Sequence, residues 1–155
     1  MRDVSVRPVE EADLDDIVRL LNELDAFYGD VATESFRSRT LNTREALVGS
    51  PPSVHAVIAR SSTSEPIGFA TYSFLWPAAG SSRSLYLKEL YVTQAQRRTG
   101  VGSILMRTLF DIANREDCSR VEWTTETSNL DAVRFYEKLG ASPISEKVFY
   151  RYKLA

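Results

Sequence analysis

Apolar residues recur along this chain with two periods, near two and near three to four, and the changes between them mark out its elements. Val4–Arg7 alternates and stops at Pro8, which predicts a short first strand. Leu14, Ile17, Val18, Leu21 and Leu24 then follow the i, i+3, i+4, i+7 spacing that gathers an apolar stripe on one helix face. Thr33–Val48 is weaker and predicts a short helix around Phe36 and Ala46–Leu47, before Gly49-Ser50-Pro51-Pro52 breaks the chain. Val54–Arg60 and Pro66–Trp76 read as strands joined by a hairpin turn at Ser61–Glu65, and Leu85–Val92 as a third beyond a loop at Pro77–Ser82. Val101, Ile104, Leu105, Leu109 and Ile112 define a strongly apolar helix, and Val121–Thr125 another strand. Ser128-Asn129-Leu130-Asp131 reads as a capping box opening a helix that ends at Gly140, and Lys147–Leu154 as a closing strand. Early hairpins followed by strand–helix–strand–helix–strand predict an α/β (α+β) fold, a mixed sheet with helices on its faces.

Composition narrows the class without naming a function. At 155 residues, 43% hydrophobic and 26% charged, the chain has the size and balance of one globular domain, taken as residues 1–155. One cysteine, Cys118, and one histidine, His55, make neither an intrachain disulfide nor a zinc site, so no metal is expected. No apolar run approaches the ~20 residues of a membrane span. The start, Met1-Arg2-Asp3-Val4, lacks the charged head and apolar stretch of a signal peptide, so a cytoplasmic location is expected, with no membrane partner. A net charge of −2 gives no support to nucleic-acid binding. That average hides an asymmetry: residues 9–34 carry a local −8 and residues 83–107 a local +4. An anionic ligand would prefer the second region and a cationic one the first, although acids also collect at helix starts for purely local reasons.

The candidate chemistry begins at Val92-Thr93-Gln94-Ala95-Gln96-Arg97-Arg98-Thr99-Gly100-Val101-Gly102-Ser103. A strand ends, a basic loop with two glycines follows, and a helix starts. Helix N-termini offer unpaired N–H groups and the positive end of a dipole, a receptor for phosphate. Glycines at 100 and 102 remove Cβ atoms that would hold a pyrophosphate off the backbone, while Arg97 and Arg98 add charge. Neither Gly-x-Gly-x-x-Gly nor the Gly-Lys-Ser/Thr of a nucleotide P-loop is present. Taken alone, the segment is read equally well as a glycine-eased turn with solvated arginines.

Asn129 and Tyr136 lie two helical turns apart, on one face and about 10 Å apart along the axis. A tyrosine at such a position is by default a packing aromatic. Here, however, the order is phosphate-type loop, helix, strand, Asn, Tyr, Gly-Ala. In this order the sequence resembles the GNAT superfamily of acetyl-CoA-dependent amine N-acetyltransferases. The cofactor motif Arg/Gln-x-x-Gly-x-Gly/Ala stands as Arg97-Arg98-Thr99-Gly100-Val101-Gly102. The second motif stands as Asn129-Leu130-Asp131-Ala132 with Phe135-Tyr136 and Gly140-Ala141. Gly68-Phe69-Ala70, Tyr72, Phe74 and Leu85-Tyr86-Leu87 are similar to the spermidine/spermine (diamine) branch. That branch places two acids side by side where this chain has Lys88-Glu89.

The resemblance implies a largely antiparallel sheet of six to seven strands, splayed in the middle and flanked by about four helices, and a homodimer. It implies that the backbone of Leu90 and Val92 pairs with the pantetheine arm of acetyl-CoA. The N–H groups of Arg98, Thr99, Gly100, Val101, Gly102 and Ser103 would take the pyrophosphate, and Asn129 would hold the pantetheine chain. A primary amine with a pKa near 10.4 arrives protonated at neutral pH, so transfer needs a base, for which Glu89 is placed in the strand beside the cofactor. Tyr136 would protonate the leaving thiolate. Phe27 and Tyr28 would wall the site of a small-molecule amine acceptor, with Lys88 beside it. No cysteine nucleophile is needed, which favours direct attack in a ternary complex; Cys118 and His55 are expected to be structural. Two other classes stay open: a protein N-terminal or lysine acetyltransferase, which would need an open groove, and a non-catalytic acyl-CoA sensor.

Overall fold

The computed structural model of the chain describes residues 3–31 and 33–155. It contains five strands, β1 (Ser5–Pro8), β2 (His55–Arg60), β3 (Pro66–Leu75), β4 (Arg83–Val92) and β5 (Cys118–Glu122). The four helices are α1 (Leu14–Tyr28), α2 (Phe36–Val48), α3 (Val101–Arg115) and α4 (Leu130–Lys138), as many as expected. The strands lie side by side in chain order. β1 to β4 run antiparallel and β5 joins β4 in parallel, so the sheet is mixed and largely antiparallel.

The expected count of six to seven strands is corrected to five among the described residues. Lys147–Leu154 has the composition of a strand but forms none: Val148, Phe149, Tyr150, Tyr152 and Leu154 are 64–89% exposed. A strand exists only where a neighbour completes its ladder of N–H and C=O groups, and a sequence pattern cannot supply that neighbour. α2, in contrast, is longer than its weak pattern suggested, and no residue of it is fully buried. Its start is fixed by Ser35, whose hydroxyl accepts a hydrogen bond from the Ser38 N–H at 3.1 Å.

The chain falls into two compact units, one running to Trp123 and the other over Thr124–Ala155. The first holds the whole sheet with α1, α2 and α3. Ile17, Leu20 and Leu24 of α1 pack with Ile58, Phe69 and Tyr91 on one sheet face. Neighbouring strand residues point to opposite faces, so Gly68 faces the other side, where a Cβ on it would sit 3.3 Å from Leu105 of α3. Val101, Leu105, Met106 and Leu109 are buried there. Asp13, 1% exposed, ties the start of α1 to the sheet. Its carboxylate accepts two hydrogen bonds from Arg7 (2.7 and 2.9 Å), one from Arg60 (2.6 Å) and one from the Glu10 N–H (2.8 Å).

Candidate active site

β4 is where the sheet opens. Its parallel pairing with β5 runs from Arg83↔Cys118 to Tyr86↔Glu122 and stops. Residues 87–92 continue to pair with β3 on the other side, so among the described residues their second edge carries no strand. Within that half, Thr71 faces Glu89 while Tyr72 faces Leu87. Lys88 is therefore the extra residue of a β-bulge, which breaks the strict alternation of faces along the strand. Lys88 is exposed and Glu89 half-buried. Burial pushes the Glu89 carboxyl above its ordinary value; Lys88 opposes that shift, and the nearby carboxylate of Asp25 on α1 adds to it.

The loop that follows is tightly braced. Thr93 N–H donates to the Ile67 carbonyl at 3.0 Å, and a single 3-10 turn covers Gln94–Gln96. Thr99 Oγ1 donates to the Gln96 carbonyl at 2.7 Å, and Arg98 takes a positive φ of 62°. Gly100 then caps α3 at φ 96°, a left-handed conformation that side chains resist. Glycine has no side chain to cap the helix, so the first-turn N–H groups of Val101, Gly102 and Ser103 receive no N-cap side chain. Val101 is buried and Gly102 half-buried. Arg97 points back over the sheet: its Nε donates to the Val92 carbonyl at 3.1 Å, and its guanidinium lies 4.5 Å from the Phe27 ring centroid.

Phe27 and Tyr28 close α1 as an exposed edge-to-face pair, centroids 5.2 Å apart. Residues that the pattern did not single out complete this corner. Tyr91 donates its hydroxyl to Glu23 Oε2 at 3.1 Å, and burial followed by that bond raises its phenol pKa. Arg39 of α2 donates to Asn22 Oδ1 and forms an ion pair with Asp25. In the sequence, Glu23 and Asp25 are legible only as members of an acidic stretch, and Tyr91 only as a strand aromatic. His55, exposed at the start of β2, stacks on Tyr72 at 5.3 Å between centroids.

In the second unit, Asn129 is the N-cap of α4, so the cap lies one residue later than the sequence pattern places it. Its side-chain oxygen accepts from the Ala132 N–H at 3.2 Å. Tyr136 is half-buried, its ring 5.1 Å from that of Phe135. The helix ends as expected at Gly140, whose φ of 87° turns the chain out of α4. Among the described residues, no group of three or more His, Cys, Asp and Glu is placed to hold a metal ion, and no helix is long and apolar enough to cross a membrane.

Comparison with known proteins agrees with this geometry. Mouse thialysine N-epsilon-acetyltransferase is 27% identical over 157 residues, covering 94% of this chain and 88% of that protein. Human spermidine/spermine N(1)-acetyltransferase-like protein 1 is 26% identical over 92% of this chain, a match to 21% of the human protein. An aminoglycoside N-acetyltransferase in complex with CoA shares the fold, with a TM-score of 0.80 at 18% identity over 99% of this chain and 97% of that one. Residues 17–141, from the first turn of α1 to just beyond α4, match the sequence model of the Acetyltransferase (GNAT) family. A sheet opened along β4, a glycine-started α3 and that match give one conclusion: the chain belongs to the GNAT family and is an acetyltransferase.

Proposed function

We propose that the protein transfers the acetyl group of acetyl-CoA to a primary amine of a small molecule by direct attack in a ternary complex. The observation that supports this most strongly is the unpaired edge of β4, residues 87–92, leading straight into the uncapped N-terminus of α3. An extended pantetheine chain needs a free strand edge, which the backbone of Leu90 and Val92 offers, and a pyrophosphate needs N–H donors at a helix start. Arg98, Thr99, Gly100, Val101, Gly102 and Ser103 supply those donors, and Asn129 holds the pantetheine arm. When bound, acetyl-CoA supplies the electrophilic thioester carbonyl. Strand N–H groups stabilise the charge that develops on its oxygen.

Glu89 takes the proton that the acceptor ammonium must lose, directly or through one water. Burial raises its affinity for protons above that of an ordinary carboxylate, the direction that favours a base. Tyr136 returns a proton to the departing thiolate from its phenol O–H. Phe27 and Tyr28 wall the acceptor, and the exposed Lys88 ammonium repels the distal charge of a polyamine while attracting a carboxylate. The acceptor class is therefore an amino-acid-like or short amine, in agreement with the name of the mouse relative.

The test is release of free CoA from acetyl-CoA across a panel holding a lysine-like amino acid, a short monoamine, spermidine and a peptide amine. Turnover with the first two above the others is expected. Release with the peptide alone, or with none, would defeat the proposal.

A further inference from the structure

Building on that reading, we propose that Arg97 acts through its side chain as a positioning residue, strapping the acceptor wall to the cofactor loop, and not as a phosphate ligand. Three observations fix the side chain. Its Nε donates to the Val92 carbonyl at 3.1 Å. Its guanidinium lies 4.5 Å from the Phe27 ring centroid, and 5.6 Å from that of Tyr91. Tyr91 is itself held to α1 by the hydrogen bond from its hydroxyl to Glu23 at 3.1 Å.

The last two turns of α1 are thus joined to the end of β4 and the loop beyond it at two points, Glu23–Tyr91 and Phe27–Arg97. Phe27 is 53% exposed, so little apolar burial holds its ring in place, and beyond its edge-to-face pair with Tyr28 the Arg97 cation over the ring is the contact that reaches another element. A planar guanidinium over a ring, with Nε committed to a carbonyl, is an arrangement that lysine cannot reproduce. The phosphate task then falls to backbone N–H groups and Arg98. Arg97 is also the residue at which the loop leaves its 3-10 turn towards Gly100.

The experiment compares Arg97→Met, Arg97→Lys, Phe27→Leu and the Arg97→Met/Phe27→Leu double variant in the full chain. Thermal melting establishes which are folded, and Arg97→Gln, which keeps an amide donor, replaces any Arg97→Met that is not. Arg97→Met is expected to raise the acceptor KM roughly tenfold while the Kd for CoA, read by calorimetry, stays within about twofold. Arg97→Lys is expected not to restore the acceptor KM, and the double variant to be no worse than the poorer single one. A tenfold loss of CoA affinity in Arg97→Met that Arg97→Lys restores, with acceptor KM unmoved, would overturn the proposal in favour of a phosphate ligand; multiplying effects in the double variant would also overturn it. Hydrogen exchange reads the strap without any turnover. Arg97→Met should accelerate exchange at the Gly29 and Asp30 amides, which close α1 by bonding to Ala26 and Asp25. Unchanged exchange there refutes the strap, whereas an amine panel without turnover refutes the proposed function.

Discussion

Asp13 and Glu89 are both carboxylates withdrawn from water, and their surroundings push them in opposite directions. Burial alone would raise Asp13, but the hydrogen bonds from Arg7, the Glu10 N–H and Arg60 overcome it and hold the group well below its ordinary value. A depressed folded-state pKa contributes stability that is present above the unfolded value, about 3.9, and is lost as pH falls through the folded one. Asp13→Asn is therefore expected to cost roughly 3 kcal/mol at pH 7, since it leaves Arg60 and Arg7 facing a neutral group. Thermal melts should show a fall of roughly 6–12 °C that narrows as both proteins are taken below pH 4. Glu89 lacks such donors, and its pKa is raised. If it is the base proposed above, it works ionised, so activity should climb with pH through a limb lying above that of an ordinary carboxylate. Glu89→Gln should remove that limb and lower kcat about 10²-fold or more, as a pH series of CoA release would show. An unchanged profile would mark Glu89 as a bystander. The sequence made Glu89 a candidate through its strand and its neighbour. The bulge at Lys88 was not legible, because it exists only in the count of one strand against another, Thr71/Tyr72 against Glu89/Leu87.

Single elements were legible wherever one chain segment carries its own reason to form. α1 and α3 each present an apolar stripe to a sheet face, and α4 carries an N-cap and a terminal glycine, so periodicity and capping located all three. α2 has no such stripe and was seen only in part; its Ser35 cap was the available signal. Residues 147–154 show the reverse failure, a strand composition without an adjacent ladder. α3 also illustrates an element whose start is left without a side-chain cap, the feature on which the proposed phosphate cradle rests. Gly100 adopts φ 96° and donates no side-chain cap, and Gly102 lies one residue into the helix. Gly102→Val adds a β-branched side chain where, in the proposed function, a pyrophosphate would meet backbone N–H groups. Helix propensity favours valine over glycine at such a position, so the fold should persist. The Kd for CoA by calorimetry should rise at least tenfold with an unchanged melting temperature. A folded variant with unaltered CoA affinity would remove the phosphate cradle from the proposed function.

Across the molecule, the charge asymmetry read along the chain is reduced in space. Of the acids in residues 9–34, Asp13 and Asp16 are bridged by Arg60, Asp25 by Arg39 and Glu11 by Arg44. Four of the nine acids are therefore engaged as local clamps, which leaves fewer of them to face a cationic ligand than the sequence count suggested. The family match is not confined to either compact unit. It runs over residues 17–141 and so includes both compact units, Glu89 in the first and Tyr136 in the second. The proposed function gives the Tyr136 hydroxyl one task, which a single substitution can test. Tyr136→Phe is the smallest change that asks the question: it keeps the ring that packs at 5.1 Å against Phe135 and removes only the O–H. If that hydroxyl donates to the leaving thiolate, kcat falls about 10²–10⁴-fold while CoA affinity and melting temperature hold. The loss should appear with every accepted amine, because the leaving group is the same for all of them. A variant with wild-type kcat would return Tyr136 to the role of a packing aromatic, with the proton supplied by water.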